Sequence, residues 1–146
     1  MIIYLDTSAL LKQYIGEQGA EEVKQLLRKA SGVGTAVLTK TEIASAMSRA
    51  VRGGIISPEA GQDAWGEFLK DWPFLTRLLI STRLVEHSAS LAWQHRLRAY
   101  DAIHLAAALL WQERLNMPIT LATFDRDLWL AGREAGMSMW PEGLVT

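Results

Sequence analysis

The chain has 146 residues, 49% of them hydrophobic, with six tryptophans and no cysteine. The lack of cysteine excludes disulfides and thiolate metal sites, and a chain of this length can bury about 68–70% of its unfolded surface without such staples. With 15 Lys and Arg against 16 Asp and Glu the net charge is −1, so nucleic-acid binding must come from a local patch, not from the surface at large.

Met1 runs straight into apolar residues without a basic segment, so no signal peptide is expected. The longest apolar run, residues 102–111, contains His104 and is too short to span a bilayer. The expectation is a cytoplasmic chain with no membrane partner.

The chain opens on Ile2-Ile3-Tyr4-Leu5, a continuous apolar run of the kind buried on both faces of a parallel sheet. It stops at Asp6. After Thr7 and Ser8, the spacing Leu10, Leu11, Tyr14 turns helical. Residues 18–30 form an amphipathic helix with Val23, Leu26, Leu27 and Ala30 as its stripe, which Gly32 and Gly34 are expected to end. Residues 35–38 are a short second strand. The next helix starts near Thr39-Lys40-Thr41-Glu42, buries Ile43, Ala44, Met47 and Val51, and ends at Gly53-Gly54. Ser57-Pro58-Glu59 starts another helix, with Ser as N-cap and Pro in the first helical position. Its stripe of Ala64, Trp65, Phe68, Leu69 and Trp72 closes at Pro73.

Residues 75–80 read as a third strand, and Ser81 or Thr82 caps a helix running to about His95, with Val85, Ala89, Ala92 and Trp93 inward. Arg96-Leu97-Arg98 is a connector. Residues 100–115 are apolar nearly all round, which marks a helix buried in the centre. Residues 118–123 form a fourth strand, residues 125–135 a helix ended by Gly136, and residues 137–140 an edge strand. Strands alternating with helices predict a parallel sheet sandwiched between helices.

Four acids recur at one kind of position, just past a strand or in the first turn of a helix. They are Asp6, Glu42, Asp101 and Asp125, the last with Asp127 close behind. Strand C-termini of a parallel sheet share an edge, so these residues can converge. Each also has a structural role open to it. Asp6 and Asp125 make good helix caps, and Thr39-x-x-Glu42 fits a capping box. Carboxylates about 4 Å apart repel by roughly 4 kcal/mol at an effective dielectric of 20, so a true cluster must protonate, pair with cations or bind divalent metal. All-oxygen ligation points to Mg²⁺ or Mn²⁺. Asp101-x-x-His104 offers a metal pair at i, i+3, and a hydrogen-bonded core histidine is the simpler reading of His104.

Glu42, Ser45 and Arg49 share one helix side with Arg52 just beyond. Arg49 stands about 10 Å along the axis from Glu42, a spacing that suits a guanidinium holding a substrate phosphate; an ordinary solvated face fits it equally well.

The blocks Ile3-Tyr4-Leu5-Asp6-Thr7-Ser8-Ala9-Leu10, Thr41-Glu42, Leu97-Arg98-Ala99-Tyr100-Asp101-Ala102-Ile103-His104-Leu105-Ala106 and Leu121-Ala122-Thr123-Phe124-Asp125-Arg126-Asp127-Leu128 resemble the PIN-domain family, specifically the VapC-type toxins of toxin–antitoxin pairs. The resemblance implies a three-layer α/β/α fold with a central, mostly parallel sheet of four to five strands. Residues 1–146 would form a single nuclease domain. It implies endoribonuclease activity dependent on Mg²⁺ or Mn²⁺ and inhibited by a cognate antitoxin. Asp6 and Asp101 would be the principal ligands, Glu42 and Asp125 would hold a second ion or orient water, and Asp127 would be an extra acid. Thr7, Ser8 and Thr123 would support them. The bulky set Trp65, Phe68, Leu69 and Trp72 exceeds one core stripe, which suggests a face for the antitoxin or a second subunit, with a homodimer or higher oligomer expected.

Three other readings compete. One is a PIN nuclease of RNA processing or decay without an antitoxin, and another is a catalytically idle RNA-binding or regulatory module. The third, a phospho-aspartyl protein using Asp6, lacks the second Asp expected two residues on and a receiver-type lysine. Metal-assisted phosphodiester hydrolysis needs no 2′-OH, so RNA in preference to DNA rests on the resemblance alone.

Overall fold

A computed structural model describes residues 1–16 and 18–145. Its centre is a five-stranded sheet in the order β3-β2-β1-β4-β5, every neighbouring pair parallel. The strands are β1 (Ile2–Leu5), β2 (Gly32–Ala36), β3 (Thr76–Leu78), β4 (Thr120–Ala122) and β5 (Ser138–Trp140). Seven helices connect them: α1 (Thr7–Leu11), α2 (Ala20–Arg28), α3 (Thr39–Arg52), α4 (Pro58–Asp71), α5 (Thr82–His95), α6 (Ala99–Leu115) and α7 (Arg126–Glu134). A single 3₁₀ turn at Trp72–Phe74 follows α4. No helix among the described residues is long and apolar enough to cross a membrane.

β1 is central because its side chains are apolar on both sides. Tyr4 packs into one core with Leu84, Leu105, Leu121 and Leu128, while Ile3 and Leu5 pack into the other with Leu10, Ile43 and Phe68. Successive strand residues face opposite ways, so one four-residue strand anchors both cores. Helices α1 to α4 cover one face; α5, α6 and α7 cover the other. This is the three-layer arrangement expected, with all five strands parallel.

Strand order also fixes where a ligand can enter. The chain builds outward from β1 through β2 to β3, then crosses back to add β4 and β5 on the other side. The strand order therefore reverses between β1 and β4, and the crevice beyond their C-terminal ends is where open α/β sheets bind ligands.

Two expectations about the elements are corrected. Gly32 and Gly34 do not end a helix; they lie inside β2, which spans Gly32–Ala36 instead of residues 35–38. A Cβ on Gly34 would lie 2.7 Å from the Trp111 ring of α6, so the missing side chain lets the buried helix close on the strand. On α5 the inward face is Leu84, Ser88 and Leu91, one residue before the set predicted; Val85 is 45% exposed and Trp93 is 91% exposed. The start of α4 is as read: the Ser57 hydroxyl accepts from the Ala60 N–H at 3.1 Å, with Pro58 in the first turn.

Candidate active site

A cleft of about 700 Å³ opens at the reversal point of the sheet. It is lined by all four candidate acids, Asp6, Glu42, Asp101 and Asp125, together with Thr7, Ser8, Arg49, Arg98 and His104. Thr123 lies fully buried behind Asp6. Two expected members stand apart. Asp127 is exposed beyond the cleft, and Arg52 lines a separate shallow groove with Pro58, Gly61 and Trp65.

Asp6 is 3% exposed and does two jobs at once. Its Oδ1 caps α1 by accepting from the Ala9 N–H at 2.9 Å and also accepts from the Ser8 hydroxyl at 2.7 Å. Its Oδ2 accepts from the Thr123 hydroxyl at 2.6 Å. A carboxylate offers about four lone-pair sites, so three donors orient Asp6 and leave capacity on Oδ2. Burial raises its pKa above the ordinary value, against the opposing pull of His104, Thr123, the Ala9 N–H and Ser8.

The supporting hydroxyls also bind the two strand ends together. Ser8 Oγ accepts from the Phe124 N–H at 2.9 Å, and Thr123 Oγ1 accepts from the Asp125 N–H at 3.0 Å. Both therefore bridge Asp6 to the segment that carries Asp125. Asp125 in turn caps α7, its Oδ1 accepting from the Leu128 N–H at 3.0 Å. Cap and cleft residue are one and the same here, so the structural role predicted for these two aspartates does not compete with the functional one.

Glu42 departs from the capping-box expectation. The N-cap of α3 is Leu38, which makes no side-chain cap bond, and Thr39 is buried with its hydroxyl 2.8 Å from that of Thr35. The Glu42 carboxylate instead turns into the cleft. Its Oε1 accepts from the Thr7 hydroxyl at 2.7 Å and pairs with His104 Nε2 at 2.8 Å. Burial alone would raise Glu42, but His104, by hydrogen bond and by charge, and Thr7 outweigh it and leave the carboxyl below its ordinary value. An ionised Glu42 can only accept, so Nε2 carries the proton. The Tyr4 hydroxyl lies 2.7 Å from Nδ1; burial, then the Asp6 charge, raise its pKa well above the ordinary value and keep it protonated. His104 is thus a core histidine whose one outward nitrogen steadies a cleft acid.

Asp101 occupies the first turn of α6, its side chain 13% exposed. Burial raises its pKa, the neighbouring Asp125 raises it further, Arg98 opposes both, and Asp6 adds a smaller upward push. These mutual effects express the convergence of the acids. Arg98, absent from the residues singled out by sequence, joins them directly: its Nε donates to Asp101 Oδ2 at 3.3 Å and its Nη2 to Asp125 Oδ2 at 3.0 Å. The only sequence signal for it was the i, i+3 spacing to Asp101; its second partner lies 27 residues away.

Among the described residues, no three His, Asp or Glu side chains form a ready-made metal cage. The donor chemistry nevertheless fits a hard divalent ion. The available ligands are carboxylate oxygens, the one imidazole has both nitrogens engaged, and a guanidinium already stands as a cation between Asp101 and Asp125. Oxygen-only sets favour Mg²⁺ or Mn²⁺ over zinc.

Comparison with known proteins gives a match to the PIN domain family model over residues 3–132. The chain is 33% identical over 145 residues to Ribonuclease VapC47 of Mycobacterium tuberculosis, the match covering 99% of each chain. Among solved structures it resembles a chain of a toxin–antitoxin complex from Klebsiella pneumoniae, with 22% identity, 86% and 88% of the two chains covered and a TM-score of 0.62. It also resembles Mycobacterium tuberculosis VapC20, a Sarcin-Ricin loop cleaving toxin, with 18% identity, 89% and 95% coverage and a TM-score of 0.66. At these identities the two structural likenesses bear on the fold alone.

Proposed function

Because this chain belongs to the PIN domain family, we propose that residues 1–146 form one nuclease domain that hydrolyses RNA phosphodiester bonds with a divalent metal and serves as the toxin of a toxin–antitoxin pair. The observation that carries the reading is the convergence of Asp6, Glu42, Asp101 and Asp125, from four separate segments, on one cleft at the point where strand order reverses. The ribonuclease name of the 33%-identical relative supports RNA as the substrate. The toxin–antitoxin complex among the structural neighbours supports a protein inhibitor as partner.

Asp6, Asp101 and Asp125 would hold the ion, with Glu42 completing the set. A bound Mg²⁺ or Mn²⁺ would supply Lewis-acid stabilisation of charge on the phosphoryl oxygens and lower the pKa of the attacking water. The chain's own residues do the rest. Ser8 and Thr123 fix the Asp6 carboxylate so that it does not reorganise during reaction. Thr7 and His104 both hold Oε1 of Glu42, and its lowered pKa keeps the group ionised at neutral pH, ready to accept a proton or a hydrogen bond from water. Arg49, which also lines the cleft, would bind a flanking phosphate.

The direct test is cleavage of single-stranded RNA by the purified protein in Mn²⁺ and in EDTA, beside Asp6→Asn. The wild type should cut only with metal, and Asp6→Asn should be inactive while keeping the wild-type circular dichroism, since the change removes charge but hardly any volume. Full activity of Asp6→Asn, or cleavage undiminished by EDTA, would overturn the assignment.

A further inference from the structure

The acids of the cleft are held in two unlike ways. Asp6 and Glu42 are fixed by hydroxyls, a backbone N–H and the His104 imidazole. None of these is a solvent-exposed, flexible cation: the His104 ring is 2% exposed and packed in the core. Asp101 and Asp125 instead share a guanidinium, each touching a different nitrogen of Arg98. The Arg98 side chain is 77% exposed and sits just before the first turn of α6.

We propose that Arg98 is a tethered cation that competes with the divalent ion for Asp101 and Asp125, and that once displaced it binds a phosphate of the RNA. This rests on the metal-dependent reading above. Three features support an exchangeable contact. The 3.3 Å bond to Asp101 is longer than a well-formed charge-assisted bond, and neither acid receives the two-pronged fork that makes such pairs strong. The guanidinium is solvent-exposed, so both pairs are screened and cost little to give up. A divalent ion carries twice the charge in a smaller volume, so it wins the two carboxylates once it enters. The freed guanidinium remains anchored at the cleft, which Arg49 also lines. Two arginines lining one acid-bearing cleft make a fitting cradle for a phosphodiester backbone, which guanidinium groups bind with their planar fork.

The variant is Arg98→Gln, which keeps a polar side chain at a position outside the core. Mn²⁺ affinity is measured by titration calorimetry on the full chain. RNA affinity is measured at saturating Mn²⁺ by fluorescence anisotropy, using a short single-stranded RNA with slowly hydrolysed phosphorothioate linkages. The two affinities should move in opposite directions. Mn²⁺ should bind roughly threefold or more tightly, as expected when two screened competing pairs are lost. The RNA should bind more weakly, with its salt slope shallower by about 0.7. Mn²⁺ affinity that is unchanged or weaker would mean that Arg98 organises the acids instead of competing for them, and would overturn the proposal while leaving the metal site standing. RNA affinity and salt slope equal to wild type would overturn it from the other end. If neither protein binds Mn²⁺, the metal reading fails and this inference falls with it.

Discussion

Asp101→Asn tests the acidic cleft through stability alone, with no knowledge of the substrate. Burial, Asp125 and Asp6 raise the Asp101 pKa, and they outweigh the opposing Arg98. A carboxyl whose folded pKa is raised contributes full stability below its unfolded value and loses it as pH rises through the folded value. At neutral pH the ionised wild-type side chain therefore weakens the fold, and asparagine escapes that cost. The size follows from the geometry. Asp101 and Asp125 contact two nitrogens of one guanidinium at 3.3 and 3.0 Å. The planar fork then keeps those oxygens within roughly 8 Å of each other. At an effective dielectric of 20 to 40 the repulsion is about 1–2 kcal/mol. The pair to exposed Arg98 that the variant gives up offsets little of this. A net gain of about 1 kcal/mol corresponds to a rise in Tm of about 3–4 °C for a chain of this size.

The assay is thermal unfolding of both proteins in EDTA across pH, then in excess Mn²⁺. Asp101→Asn should melt higher at neutral pH, and the gap should close as pH falls through the raised Asp101 pKa toward the ordinary carboxyl value near 3.8. Mn²⁺ at about 100 times its dissociation constant should stabilise wild type by about 2.7 kcal/mol, and the variant by less. A variant that melts lower in EDTA, with Mn²⁺ shifting neither midpoint, would refute the reasoning: Asp101 would then be a favourable first-turn charge, not a member of a repelling cluster.

Gly34→Ala should lower stability by about 1–3 kcal/mol, because its Cβ must displace the buried Trp111 ring at 2.7 Å; a urea midpoint within error of wild type would show that α6 can retreat freely. Tyr4→Phe removes the one partner of His104 Nδ1 among the described residues and should cost about 1–3 kcal/mol. RNA cleavage should fall as well, since the ring that steadies Glu42 is no longer held at Nδ1; a stability loss with unchanged cleavage would make the Tyr4–His104 pair purely structural. Arg49→Ala should weaken RNA binding and flatten its salt dependence, whereas Arg52→Ala, in its separate groove, should do neither. Equal effects of the two substitutions would contradict this division.

What could be read from sequence follows from where each signal is stored. The end of β1 at Asp6, the Ser57-Pro58 helix start and the mostly apolar α6 are local patterns, and the structure has them as read. The face of α5 is ambiguous in the sequence because the Val85/Ala89/Ala92 and Leu84/Ser88/Leu91 stripes have equally good helical spacing. Trp93 favoured the first, and only packing against α6 selects the second. Gly34 looked like a terminator because the bulk it accommodates, Trp111, comes from a helix 77 positions later. The acids were legible because strand ends announce themselves. Arg98 and the Tyr4–His104–Glu42 chain were not, since each joins residues that only the folded sheet brings together.

The position of β1 between β2 and β4 bears on how the protein matures. Tyr4 pairs with Leu121, and Thr123 grips Asp6 across a separation of 117 residues. Closing so long a loop is entropically costly and slow compared with local contacts. During synthesis β1, β2 and β3 can pair early, but one edge of β1 stays open until β4 has left the ribosome. Asp101 has then only recently emerged, and Asp125 arrives last of the four acids. The cleft is therefore completed only once the segment carrying Thr123 and Asp125 is available, and a nascent chain that stops short of it lacks a finished acidic site.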